Sequence, residues 1–108
     1  MIRQISPRDL KRWLEDDDRP PPTLLDVREA WELGICRIDG VSHIPMRNVP
    51  LRVQELSRSA ELVVVCHHGA RSFQVAMYLE REGFDKLYNL TGGMAGWARE
   101  VDPQMATY

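Results

Sequence analysis

The chain has 108 residues, 44% of them apolar and 28% charged, with a net charge of −2. That length suits one compact domain and leaves little room for a second, and the mixture has too many apolar residues for a disordered chain. The near-balanced charge gives no electrostatic reason to expect nucleic acid or a membrane surface as partner, and no apolar run reaches the length that spans a bilayer.

The N-terminal stretch Met1–Asp17 is charged and lacks the apolar centre of a secretion signal, so a cytoplasmic location is expected. Ser6-Pro7 with Asp9 reads as a helix start, Ser6 as N-cap and Pro7 in the first turn. Leu10, Trp13 and Leu14 then share one helical face. The run Asp16-Asp17-Asp18-Arg19-Pro20-Pro21-Pro22 cannot continue a helix and reads as a solvated loop. Thr23–Val27 is a short buried strand, Glu29–Leu33 a helical turn stopped at Gly34, and Val41–Pro45 a second short strand. Asn48–Leu56 carries a weak helical signal. Leu62-Val63-Val64-Val65-Cys66 is the strongest strand, and its β-branched run suits a parallel sheet buried on both faces. A helix over Ala70–Glu82 follows, with Phe73, Ala76, Met77 and Leu79 available for packing and Gly83 placed to end it. Lys86–Leu90 is a further strand, Thr91-Gly92-Gly93 a turn, and Met94–Val101 a last helix. Trp13, Trp31 and Trp97 are expected to pack in the interior. Alternating strands and helices imply an α/β layered fold with a mostly parallel sheet, in which ligands bind beyond the carboxyl ends of the strands. That rule points to Asp26, to Cys66 and to the turn after Leu90.

The chain has two cysteines, Cys36 and Cys66, too few for a secreted disulfide scaffold. Their surroundings separate them. Cys66 ends the central strand, a short glycine-containing loop follows, and a helix begins at once. The loop N–H groups can turn inward as an anion cradle, and the helix adds unpaired N–H donors and the positive end of its dipole. Gly69 permits the tight turn, and Arg71 contributes a permanent cation with a planar fork suited to oxyanions. Every feature of the segment Cys66-His67-His68-Gly69-Ala70-Arg71-Ser72 favours a sulfur anion and an anionic substrate. Cys36 has no such features nearby and reads as a partly buried structural cysteine, with a resolving thiol for Cys66 as the other reading. His67, His68 and Cys66 lack the spacing of a metal site, so no metal is expected. His43 reads as a polar contact at a strand end, and Asp26 with Arg28 as a structural ion pair beside the loop.

The segment Cys66–Ser72 resembles the active-site loop of the single-domain rhodaneses, the thiosulfate sulfurtransferases. Leu24–Glu29 is similar to the early strand and Asp-x-Arg turn of that family. Gly40–Pro45 is similar to its second motif, and Asn89–Trp97 to its closing Gly-Gly and Trp signature. The resemblance runs in order from about Ser6 to Trp97. It implies a rhodanese-like three-layer fold, a central, mostly parallel five-stranded sheet with helices on both faces. The whole of 1–108 is then a single domain, with a core of about 6–101 and a tail over 102–108. It implies Cys66 as the catalytic nucleophile carrying sulfur as a persulfide, and His67, His68, Gly69, Ala70, Arg71 and Ser72 as the substrate-binding loop. Arg71 would orient the sulfonate end of thiosulfate. The partners implied are a small anionic sulfur donor and a thiol acceptor, free or borne by a protein. No metal or organic cofactor is implied.

Two other functions remain open at this point. Dual-specificity phosphatases of the cell cycle share this fold with a Cys-x5-Arg loop, so phosphatase or arsenate reductase chemistry is one alternative. The Cys-x4-Arg spacing from Cys66 to Arg71 is one residue shorter, which suits a single sulfur atom and crowds a tetrahedral phosphate. The other alternative is a non-enzymatic interaction module of the same fold, against which the intact Cys66 loop argues.

Overall fold

The computed structural model describes all residues from Met1 to Tyr108. Five parallel strands form one sheet: β1 (Ile2–Ile5), β2 (Thr23–Asp26), β3 (Ser42–His43), β4 (Leu62–Val65) and β5 (Leu87–Leu90). Their spatial order is β1-β5-β4-β2-β3, with every neighbouring pair parallel. The five helices are α1 (Pro7–Glu15), α2 (Ala30–Ile35), α3 (Val49–Arg52), α4 (Ala70–Arg81) and α5 (Gly93–Glu100). This is the expected three-layer α/β architecture.

All four residues of β4 are buried, because the sheet is covered on both sides and β4 lies at its centre. Side chains alternate along a strand, and the two hydrophobic clusters divide accordingly. Leu62, Val64 and Cys66 join Val75, Ala76 and Leu79 of α4 and Val49 of α3 on one face. Val63 and Val65 join Leu10 and Trp13 of α1 and Met94 and Trp97 of α5 on the other. Full burial of each such valine contributes on the order of 1.5–3 kcal/mol, so the strand that ends in Cys66 is among the most firmly held elements.

Helix α1 starts as its sequence predicts: the Ser6 side chain accepts the Asp9 N–H, and Pro7 occupies the first turn. Gly83 ends α4 with a φ of +96°, in the left-handed region that favours glycine. Several expectations are corrected. Residues Ile2–Ile5 form an edge strand paired with β5, so the core reaches back beyond Ser6. Helix α2 runs through Gly34 to Ile35. Strand β3 has only two residues, and the stretch Asn48–Leu56 breaks into α3 between two short 3-10 turns. Phe73 and Met77 lie on the solvent side of α4, and Trp31 is 64% exposed.

Candidate active site

The carboxyl ends of β2, β4 and β5 converge, and the Cys66 loop leaves β4 at that edge. Gly69 takes a φ of +110°, which reverses the chain so that its N–H donates to Cys66 Sγ at 3.0 Å. Helix α4 begins one residue later. Its first backbone bond runs from Phe73 N–H to Gly69 O, so the N–H groups of Ala70, Arg71 and Ser72 have no carbonyl within the helix. The sulfur therefore sits at the positive end of α4, with only 1% of Cys66 exposed. Ser72 is buried in the first turn, and its Oγ lies 3.2 Å from Sγ. The same hydroxyl donates to Asn89 Oδ1 on β5.

The Thr91-Gly92-Gly93 turn explains itself here. Met94 N–H donates to Cys66 O at 2.8 Å and Ala95 N–H to His67 O at 3.0 Å. The start of α5 thus clamps the backbone at Cys66 and His67. A Cβ on Gly93 would lie 2.4 Å from Cys66 O and 2.5 Å from His67 C. Only glycine allows the two segments to meet.

Arg71 departs from its sequence expectation. Its Nη1 and Nη2 both donate to the Glu32 carboxylate at 2.9 Å, so the fork expected to meet a donor anion has one edge already filled. Glu32 is buried and also receives the Tyr108 hydroxyl at 2.7 Å and the Glu29 N–H at 2.8 Å. The Arg71 bridge, working against burial and helped by these bonds, brings the Glu32 carboxyl from 4.5 down to about 2. Behind it lies the Asp26–Arg28 pair, both fully buried. Arg28 also donates to Cys36 O at 2.8 Å and to the Tyr108 hydroxyl at 3.0 Å. This is the structural ion pair read from the sequence, extended by Tyr108 into a chain of contacts from Asp26 to Arg71. Burial pushes the Tyr108 hydroxyl up to about 12.

The His67 and His68 rings pack at a tilt with centroids 3.9 Å apart, and His67 stacks on the Tyr108 ring with centroids 4.0 Å apart. Burial first, and then the neighbouring His68, lower the His67 imidazolium below its ordinary range. His68 and Ala70 are exposed at the mouth of the loop. Cys36 is half-buried and lines a cavity of about 80 Å³ together with His67, Met94, Ala95, Thr107 and Tyr108. His43 Nε2 sits 2.6 Å from Arg28 O, the polar contact expected of it. No group of three or more His, Cys, Asp or Glu side chains is arranged to hold a metal.

Sequence reasoning missed Glu32, Asn89 and Tyr108. Asn89 had a signal, a polar residue inside an apolar strand. Glu32 had a weaker one, an acid three residues after Glu29 at a helix start. Tyr108 had none.

The rhodanese-like domain family model matches residues 6–100. The chain belongs to the rhodanese-like domain family. A sulfurtransferase of Allochromatium vinosum is 32% identical over 98% of this chain and 97% of its own length. The thiosulfate sulfurtransferase GlpE of Tolumonas auensis is 33% identical over 82% of each. Among solved structures, a rhodanese-like domain protein from Staphylococcus aureus superposes with a TM-score of 0.83 at 31% identity, covering 92% of this chain and 94% of that one. Rhodanese-type sulfur transfer is the chemistry these relatives support. No helix is long and apolar enough to cross a membrane.

Proposed function

We propose that this protein is a sulfurtransferase that moves sulfane sulfur from thiosulfate, or a donor like it, to a thiol or cyanide acceptor through a Cys66 persulfide. The single observation that carries this reading is the Cys66 sulfur held by the Gly69 N–H at 3.0 Å inside a loop only four residues wide between Cys66 and Arg71. A thiolate there attacks the outer sulfur of thiosulfate. A new S–S bond forms, the bond to the sulfonate sulfur breaks, and sulfite leaves with the electron pair. The acceptor then attacks the outer sulfur of the persulfide, and the Cys66 thiolate departs. This is covalent catalysis by an activated nucleophile, and the cycle balances without a metal or an organic cofactor. The loop N–H groups hold charge on the transferred sulfur, as the donors of an oxyanion hole do.

Arg71 takes part in two ways. Through Glu32 it ties the loop to α2, and its remaining N–H groups, on a side chain 35% exposed, attract the anionic end of the donor. His67, His68, Gly69, Ala70 and Ser72 line the same path. Two unpaired cysteines suit a reducing compartment such as the cytoplasm.

Intact-protein mass spectrometry after incubation with thiosulfate tests the reading, wild type beside Cys66→Ala. The expected result is a gain of one sulfur atom in the wild type, removed by cyanide or a dithiol and absent from the variant. Failure to gain sulfur from thiosulfate or from a low-molecular-weight persulfide would overturn it.

A further inference from the structure

The buried hydroxyl beside the nucleophile has one proton and two claimants. Ser72 Oγ lies 3.2 Å from Cys66 Sγ and also bonds Asn89 Oδ1. The orientation of the Asn89 amide follows from its other neighbours. Its Nδ2 faces the Gly69 carbonyl at 3.3 Å and Gln4 Oε1 at 3.1 Å. A backbone carbonyl can only accept, so the amide N–H2 must point to Gly69 and the amide oxygen to Ser72. Asn89 is therefore an acceptor towards Ser72, and the hydroxyl proton goes to it. Ser72 then presents lone pairs to the sulfur. That arrangement suits a Cys66 thiol, which donates to Ser72, and opposes a sulfur anion.

We propose that Asn89 is a positioning residue that acts through Ser72 and controls the hydrogen bond available to the Cys66 sulfur. With the thiol neutral, the Ser72 hydroxyl points to Asn89. When the sulfur becomes an anion, its proton leaving to solvent, the hydroxyl turns to the sulfur without losing its own proton, and Asn89 Oδ1 is left buried without a donor. The cost of that orphaned acceptor makes the Ser72 bond to the anion weaker than a free hydroxyl would give. A thiolate held less tightly is the better nucleophile. Gly69 couples the two halves of the device, because its N–H holds the sulfur while its carbonyl fixes Asn89. The charged and titratable groups around the sulfur are Arg71 at the start of α4, His67 and His68 in the loop, and Glu32 of α2, which Arg71 holds. None of them hydrogen-bonds Ser72 or Asn89, so a change at Asn89 leaves them in place. The value of this device to turnover rests on the sulfur-transfer reading, but the device itself is read without any sulfur donor.

The test is the rate of Cys66 alkylation by iodoacetamide against pH, in which the sulfur forms a bond to carbon and iodide leaves. It is measured in wild type, Asn89→Val, Ser72→Ala and the double variant. Valine suits a strand interior and is close to asparagine in volume. In Asn89→Val the Ser72 proton is free for the sulfur, so the midpoint of the rate–pH profile falls by about one pH unit, the scale of one hydrogen bond to a charged group, while the plateau rate above it is no higher than in wild type. In the Ser72→Ala background the same substitution has no such effect, which a merely structural role for Asn89 would not produce. An unchanged or raised midpoint in Asn89→Val, or an equal effect in both backgrounds, would overturn the proposal. If Asn89→Val does not fold, the carbonyl carbon-13 shift of the Asn89 side chain in the wild type reads the same event. It moves as Cys66 ionises and stays put in Ser72→Ala, and a wild-type shift that does not move overturns the proposal. A protein that alkylates as expected yet gains no sulfur from any donor separates failure of the sulfur-transfer reading from failure of this one.

Discussion

Gly93 sits where α5 meets the Cys66–His67 backbone, and its lack of a side chain is what permits the hydrogen bonds from Met94 to Cys66 and from Ala95 to His67. Its φ of +56° is a second reason for glycine. Gly93→Ala therefore meets both a backbone clash and a disfavoured conformation, and it should destabilise by at least about 2 kcal/mol. Urea unfolding measures that loss, and sulfur loading of Cys66 should fall with it because the loop moves. An Ala substitution at Gly34, where nothing lies within 4 Å of the added carbon, is the control and should stabilise α2 slightly or leave it unchanged. The turn of the loop was legible in the sequence because Cys66, Gly69 and Arg71 lie within six consecutive positions. The residues that complete the site could not be read in that way. Glu32 is 39 positions from Arg71, Asn89 is 17 from Ser72, and Tyr108 is 76 and 80 from its two partners. Only the fold brings such pairs together.

Legibility differs among the elements for similar reasons. Strand β4 announces itself by four consecutive apolar residues, and α1 by its cap and its apolar face. Strand β1 reads Ile-Arg-Gln-Ile, a short edge strand with two exposed polar residues, and edge strands carry little hydrophobic pattern. Yet this strand supplies Gln4, which holds Asn89. The two tryptophans on α1 and α2 show why composition alone misplaces side chains. Trp13 is on the inner face of α1, 3% exposed, in edge contact with Tyr88 and donating its indole N–H to Pro20 O at 2.9 Å. Trp31 follows the first residue of a six-residue helix whose inner positions are taken by Glu32 and Leu33, so it faces solvent beside Tyr108. Trp13→Ala should cost about 3–5 kcal/mol, whereas Trp31→Ala should cost less than about 1 kcal/mol. Thermal unfolding of the two variants side by side checks the contrast, and equal losses would mean that α2 is packed differently.

At the scale of the whole molecule, one buried carboxylate joins elements far apart in the chain. Glu32 of α2 receives Arg71 from α4, Tyr108 from the tail and the amide that opens its own helix. This linkage makes stability depend on acid. The folded Glu32 carboxyl titrates near 2 against 4.5 when unperturbed, so the unfolded chain binds the proton first as pH falls. The stabilisation is complete above about pH 4.5 and is lost as pH falls through about 2. A displacement of that size corresponds to an upper bound of roughly 3 kcal/mol. Solvent reaches Arg71 and screens the pair, so about 1–3 kcal/mol is expected. Glu32→Gln removes the titrating group and keeps most of the shape. Its stability at neutral pH should lie below wild type by that amount, its curve between pH 4.5 and 2 should be the flatter one, and the two should converge near pH 2. Urea midpoints across that range would show it. Parallel curves would mean that the bridge to Arg71 contributes nothing, and that the loop is held by packing and by its backbone bonds to the start of α5.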